Sequence, residues 1–410
     1  MTIESAAATL AEQLRRQEFV SVIAHHDADG IAAGSILCHA MSRAGIRFRF
    51  RIRHTVTKSD LSNESANLLC DIGAGMETLP PEAMVIDHHV PVFKGELHVN
   101  PHLAGIDGDT ELSSAGAAYL VAQELGDNRD LAGLVICGIL GDSQEIRGKN
   151  LEICNEAIAN GIVSPGRGVT LPGRDMPERW YTAISPYLEG ISGNQDRVAD
   201  LIETSVDEKE GSESGTELDL LLSRIILTAA PAASWSNLQK IYGDTYALQR
   251  EVIEDGHSLT AVIDACGKTG HGDIGATLCL RSSQHLKQAW EIARLHRTTV
   301  IAAVQASRPA DNMSGIYQVP DATVASDVAD ILVRDSDSAQ AILVYARSGD
   351  ACRISARITA GKSPELGPLV RQLAATHGGE GGGHVLRAGA TIPCGNFTAF
   401  ARDWKEATAS

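Results

Sequence analysis

Four apolar runs, each closed by acid or histidine, set the plan of the first 145 residues. Residues 20–24 run into His25-His26-Asp27-Ala28-Asp29-Gly30, and 68–70 into Asp71. Residues 84–86 run into Asp87-His88-His89, and 134–140 into Gly141-Asp142. A continuous apolar run bounded by polar residues reads as a strand buried on both faces, so all four runs are expected to be strands. Helical signals lie between them. A small-residue run over 30–37 follows Asp29 directly, and 113–120 opens with Ser as a plausible N-cap. Residues 1–17 set charged groups among Ala and Leu, the pattern of an amphipathic helix. Strand and helix alternate from Phe19 to about Gly161, which implies right-handed βαβ units and a parallel sheet.

The pattern then changes. Residues 46–53 alternate strictly, so Arg47, Arg49, Arg51 and Arg53 share one strand face. That face suits a solvated edge strand, and equally contact with substrate phosphates or a partner surface. Residues 203–217 are acidic, polar and Gly/Ser-containing, as in a loop or linker. Helical periodicity marks 218–227 and 237–254. A second α/β unit starts at Thr298. Its expected strands are 299–304, 341–345 and 352–357, and its helices 322–333 and 366–375. Arg353, Ser355 and Arg357 share a strand face there, and a glycine-rich loop covers 378–384.

Composition adds limits. At 410 residues the chain is long enough for two or three domains, and 43% hydrophobic with 21% charged residues is ordinary for a globular protein. The net charge of −17 argues against general coating of a duplex, while leaving room for a local basic groove. Eight Cys occur with no C-x-x-C pair, so they read as small buried residues of a reducing compartment. No apolar run approaches the ~20 residues of a membrane span, and a cytoplasmic location is expected.

In an open α/β sheet, ligands bind beyond the carboxyl ends of the strands. His25, Asp27, Asp29, Asp71, His88 and Asp142 would meet there. Asp and His suit Mn²⁺, Mg²⁺ or Zn²⁺. Two such ions ~3.5–4 Å apart clamp a phosphate and supply a nucleophile at neutral pH. Asp87 and His89 then orient a ligand imidazole or donate to a phosphate oxygen. The glycine-rich loop is either a turn or a place of close backbone approach to a phosphate or sugar. It is not a P-loop, since no Gly-Lys-Ser/Thr follows.

The order H-x-D-x-D-G at 25–30, Asp71, Asp-His-His at 87–89 and Gly141-Asp142 resembles the DHH phosphoesterase superfamily. Gly381-Gly382-Gly383-His384, followed by Arg-Ala-Gly-Ala-Thr-Ile-Pro at 387–393, resembles its DHH-associated nucleic-acid-binding domain. Length, the middle segment and Asp-Ala-Cys-Gly-Lys at 264–268 make the chain most similar to archaeal RecJ-like exonucleases.

The resemblance implies a two-lobed α/β protein with its active site in the cleft between lobes. A parallel-sheet DHH catalytic domain would cover 1–200, an acidic linker 201–217 and a mostly helical connecting segment 218–297. A smaller α/β DHH-associated domain would cover 298–410. The resemblance further implies two Mn²⁺ or Mg²⁺ ions at His25, Asp27, Asp29, Asp71, His88 and Asp142, with His89 and Asp87 as the catalytic pair. Arg353, Ser355, Arg357, Gly381, Gly382, Gly383, His384 and Lys268 would hold the substrate. The implied reaction is stepwise hydrolysis of single-stranded DNA or RNA from an end, releasing nucleoside monophosphates.

Two positions depart from the pattern: Lys268 stands where Arg is expected, and Arg387 where Ala is frequent. Two relatives within the superfamily offer other functions. Short-oligonucleotide hydrolases (nanoRNases and 3′-phosphoadenosine phosphatases) share every metal motif, but are usually shorter and lack the 200–300 segment. A replisome scaffold that binds GINS is the non-enzymatic reading. Six clustered ligands favour activity over a pure scaffold, because like charges packed so closely repel unless metal is present.

Overall fold

The computed structural model describes the chain except for Met1, Glu77, Arg308 and residues 210–216, 311–312, 336–340, 360–363 and 409–410. The first helix, α1 (Ile3–Arg15), is N-capped by Thr2 and buries Ile3, Ala7, Leu10 and Leu14. Then follow β1 (Phe19–His25), α2 (Ala28–Arg43), β2 (Arg47–Arg53), β3 (Ala66–Cys70), β4 (Met84–Ile86) and β5 (His98–Val99). The strands form one sheet in the order β2-β1-β3-β4-β5, with every pairing parallel. The alternating-arginine segment is therefore the edge strand β2.

Next come α3 (Ser114–Leu125), capped by Ser113, then α4 (Ala132–Gly141), α5 (Gly148–Ala159) and β6 (Val163–Val169). Residues 134–140, expected as a strand, are helical. The run lies wholly buried against α2 and α3, and a helix covered on all sides is apolar all round, just as a buried strand is. Asp142 thus closes a helix, not a strand.

Further on lie α6 (Met176–Tyr181), α7 (Gln195–Lys209), α8 (Glu217–Ala229) and α9 (Trp235–Leu238). Residues 203–209, expected in a loop, complete α7; residues 210–216 of that expected linker lie outside the described residues. Glu and Lys are good helix formers, and polarity alone does not end a helix. Strand β7 (Tyr242–Leu248) pairs with β6, and α10 (Gly256–Lys268) and α11 (Gly272–Cys279) follow. Leu259, Val262, Ile263 and Leu278 from these two helices join Ile31 and Ile36 of α2 in one core.

Helix α12 (Leu286–Ala306) absorbs residues 299–304, which their β-branched content had suggested as a strand. Helix-forming residues upstream and burial of Val300 and Ile301 outweigh β-propensity there. The chain finishes with β8 (Pro309–Ala310), β9 (Met313–Gln318), α13 (Ala325–Asp335), β10 (Ala341–Ser348), β11 (Ala351–Ile358) and α14 (Leu366–Thr376). The last elements are β12 (Glu380–Gly383), β13 (Arg387–Pro393) and α15 (Phe397–Thr408). This second sheet runs β12-β13-β11-β10-β9-β8; β9 and β10 are parallel and the other pairs antiparallel.

The glycine-rich segment expected as a loop is thus largely the edge strand β12. Gly381 explains why: a Cβ there would stand 2.9 Å from Gly389 O and 3.1 Å from Ala374 Cβ of α14. Ile354, Ile392, Val370, Phe400 and Trp404 fill one side of the sheet, and Ile342, Val344 and Val328 the other.

Two compact units result. The first is Met1–Pro172 with Gly243–Ala293; the second is Gly173–Tyr242 with Arg294–Ser410. This division differs from the boundaries expected near 200 and 297, because α10 and α11 bury their apolar faces in the first core. All eight cysteines are free, and no helix among the described residues is long and apolar enough to cross a membrane.

Candidate metal centre

Three strand ends and one helix end bring the acid and histidine clusters of the first unit together. His25 ends β1, and Asp27 caps α2 by accepting from Gly30 N at 3.0 Å. Asp71 follows β3 with φ +58, the left-handed conformation that Asp tolerates better than most residues. Asp87, His88 and His89 follow β4, and Asp142 caps α4.

Asp71 stands in the middle. Its Oδ2 lies 3.3 Å from His25 Nδ1, and its Oδ1 lies 3.5 Å from His88 Nε2 and accepts from Ser114 Oγ at 2.9 Å. His25 Nδ1 also lies 2.7 Å from Asp27 Oδ2. On the other side, His88 Nε2 lies 3.2 Å from Asp142 Oδ2, while His88 Nδ1 donates to Gly108 O at 2.7 Å. That bond sets the tautomer with a lone pair on Nε2. The two oxygens of Asp29 accept from Ala115 N at 2.8 Å and Ser114 N at 2.7 Å, in the first turn of α3. A carboxylate has about four acceptor directions, so ligand capacity remains. Ligand atoms lie within 4.8 Å of one another in three sets: His25–Asp27–Asp71, Asp29–His88–Asp142 and Asp71–Asp87–His89.

The donor set fits divalent cations. Asp71 Oδ2 and Asp142 Oδ2 are buried and accept no hydrogen bond among the described residues. A lone pair of His88 faces the second of them at 3.2 Å, a repulsive contact unless something positive lies between. Neighbouring ligands ~2.1 Å from an octahedral ion stand about 3 Å apart, so these separations suit such an ion. Burial pushes the Asp71 carboxyl well above its usual range, with Asp27 and Asp29 adding to the effect. Burial and then Asp29 do the same to Asp142. Burial opposes protonation of His88, but Asp142 and Asp29 outweigh it and raise the ring to about 9. Cations in this position relieve these costs.

Asp87 plays a different part. Its Oδ1 lies 2.7 Å from His89 Nδ1, and its Oδ2 accepts from Ala74 N at 2.8 Å. Burial opposes its ionisation, yet His89 and Ala74 N hold the carboxyl well below the usual range. Asp87 therefore orients His89 as a fixed anion.

The expected substrate residues are placed as follows. Lys268 pairs with Asp264 at 2.8 Å at the end of α10, where Gly267 packs on His26 O so closely that any Cβ would collide. Its charge reaches His26, whose ring burial and then His25 push down to about 2. Arg51 donates to Ser21 Oγ at 3.0 Å and Asp60 O at 2.7 Å, and Arg53 pairs with Asp60 at 3.6 Å, so half the arginine row serves the fold. In the second unit Arg353 is exposed, Ser355 half-buried and Arg357 buried, although all three share a face of β11. Gly381 and Gly383 pair with Ala390 and Ala388 of β13, while Gly382 pairs with Gly389 on the opposite face. His384 N donates to Arg387 O at 2.7 Å just beyond β12. Sequence reasoning missed Ser114, Gly108 and Gly138, which hold the candidate ligands through a hydroxyl, a carbonyl and the absence of a side chain. Only the Ser113-Ser114 cap signal pointed near them.

The DHHA1 domain model matches residues 312–409. An uncharacterised protein of Methanocaldococcus jannaschii is 26% identical over 421 residues, covering 95% of this chain and 93% of the relative. RecJ of Thermus thermophilus in complex with Mn²⁺ superposes with a TM-score of 0.61 at 18% identity. The match covers 99% of this chain and 54% of that one, so the chain spans about half the length of that RecJ. CDC45 of Entamoeba histolytica gives a TM-score of 0.64 at 10% identity, covering 98% and 97%. The chain is a DHH-superfamily protein with a RecJ-like two-domain fold, and it ends in a DHHA1 domain.

Proposed function

We propose that the chain is a metal-dependent phosphodiesterase that digests single-stranded nucleic acid from an end and releases nucleoside monophosphates. The position of Asp71 carries the reading: its two oxygens face His25 on one side and His88 on the other. His25, Asp27 and Asp71 would hold one divalent ion, and Asp71, Asp29, His88 and Asp142 a second. Such ions supply an activated water and neutralise phosphate charge when bound.

The chain's own residues do the remaining work. Gly108 O keeps His88 in the metal-binding tautomer, and the first turn of α3 holds the Asp29 carboxylate in place. Asp87 fixes the His89 ring through Nδ1 and leaves Nε2 to contact a non-bridging phosphate oxygen. Ser114 pins the shared Asp71 carboxylate.

The test is incubation with Mn²⁺ and end-labelled ~20-mers of DNA and RNA, beside a dinucleotide. Stepwise release of mononucleotides from a ~20-mer is the expected result. Cleavage of the dinucleotide alone would transfer the chain to the short-oligonucleotide hydrolases. Binding without cleavage of any of them would leave a scaffold role.

A further inference from the structure

The second unit holds a concentration of positive charge that the metal chemistry does not use. At its centre Arg357 donates from Nε to Asp330 Oδ1 at 2.8 Å and from Nη2 to Ser326 Oγ at 2.7 Å. Arg387 stands opposite Arg357 in the β11–β13 register, with Nε 3.5 Å from the same Asp330 oxygen. Arg334 lies one turn along α13 from Asp330, and its charge acts on that carboxylate too. Lys240, just after α9, feels Arg334, Arg387 and Asp330 together. Of these five groups four are cations and one is an anion, a local reversal in a chain of net charge −17.

Burial opposes ionisation of Asp330, but Arg357 and Arg387 hold its carboxyl down at about 2, so its single negative charge is already fully expressed. Burial, then Arg334 and Arg387, push the Lys240 ammonium down in spite of Asp330. The cluster therefore has more positive charge than Asp330 balances, and a further anion would stabilise it.

The adjoining sheet surface is open. Ser355 pairs with Gly389, and Gly389 with Gly382, on the same face as Arg357 and Arg387. A Cβ on Gly389 would approach nothing closer than Ile354 O at 3.4 Å. Ser355 and Gly389 lie on inner strands whose backbone groups are already paired, so the floor offers no free edge to an extended peptide. A sugar-phosphate chain needs no such edge, and guanidinium forks match phosphate oxygens.

We propose that Arg387, Arg334 and Lys240, gathered round the Arg357–Asp330 pair, form a subsite for a backbone phosphate of single-stranded nucleic acid, additional to the phosphate that is cleaved. The inference deepens the hydrolase reading and rests on it for the identity of the ligand.

The test uses the full chain in EDTA, with a fluorescently labelled oligothymidine of ~12 nucleotides and anisotropy titrations over a range of KCl concentrations. Each phosphate contact on a single strand contributes about 0.7 to the slope of log K against log salt. Lys240→Ala and Arg334→Gln should each weaken binding and lower the slope by about that amount. Lys240→Glu should weaken it further. Lys149→Ala, which removes a surface lysine paired with Glu4 and Glu152 in the first unit, should leave the slope unchanged. Equal slopes in wild type and all variants would overturn the proposal. So would poly-glutamate binding that is lost in the same variants while oligothymidine binding is kept, which would assign the cluster to an acidic protein segment. The two readings fail separately: cleavage of oligonucleotides with Mn²⁺ but equal slopes sinks only the subsite. Altered slopes without any cleavage uphold the subsite and sink only the hydrolase.

Discussion

Gly138 of α4 lies flat against Asp29, and a Cβ on that glycine would drive into Asp29 Oδ1. The same carboxylate is pinned on its far side by Ser114 N and Ala115 N. Asp29 is thus held between two helices with no room to shift. Gly138→Ala should displace it and lower Mn²⁺ affinity about 10–100-fold, the usual cost of disturbing the support of a metal ligand. Calorimetric titration checks this, and unchanged affinity would show that Asp29 is not a ligand.

Ser114 offers a milder perturbation. Ser114→Ala removes the hydroxyl on Asp71 Oδ1 and keeps the backbone N–H on Asp29. Metal affinity should fall by about tenfold, with KM for the oligonucleotide unaltered once the enzyme is saturated with Mn²⁺. A rise in KM under saturating metal would place Ser114 at the substrate.

His89→Ala should reduce turnover by about 10²–10³-fold, the loss expected for one donor to developing charge. Metal content should stay at the wild-type value, because Asp87 and His89 stand outside the two proposed ligand sets. Metal analysis of the purified variant beside its kcat separates the two roles, and loss of an ion would make His89 a ligand.

Asp330 ties acid stability to the second unit. Its folded pKa of about 2 lies below the usual carboxylate range, so its stabilisation is complete above pH ~4 and disappears as pH falls through about 2. The shift corresponds to about 2 kcal/mol at neutral pH. Asp330→Asn should cost about that much in urea unfolding at pH 7, and the difference from wild type should shrink steadily below pH 4. A difference independent of pH would mean that the carboxylate charge is not what holds Arg357.

Legibility in the sequence followed the range of the interactions. Asp71 and Asp87-His88-His89 stood out because short buried strands end at them, and the strand signal is local. Asp142 was recognised as a candidate ligand although its element was misjudged, since residues 134–140 are buried on every side and carry no period. The run 299–304 failed for the opposite reason: its local β-propensity was overruled by packing. Gly108 O, Ser114 Oγ and the bare face of Gly138 left no mark, because a carbonyl or a missing side chain gains its meaning only from a distant partner. Asp330 was invisible on the same ground. Its hold on Arg357 and Arg387 joins a helix to two strands 27 and 57 positions further along the chain.

The central claim is that Asp71 is shared between two cation sites. Counting Mn²⁺ bound per chain, by calorimetry and metal analysis on wild type and Asp71→Asn, tests it most directly. The account predicts two ions in the wild type, and in the variant loss of at least one ion together with loss of phosphodiester hydrolysis. A single ion in the wild type, or two ions and full turnover in Asp71→Asn, would contradict it.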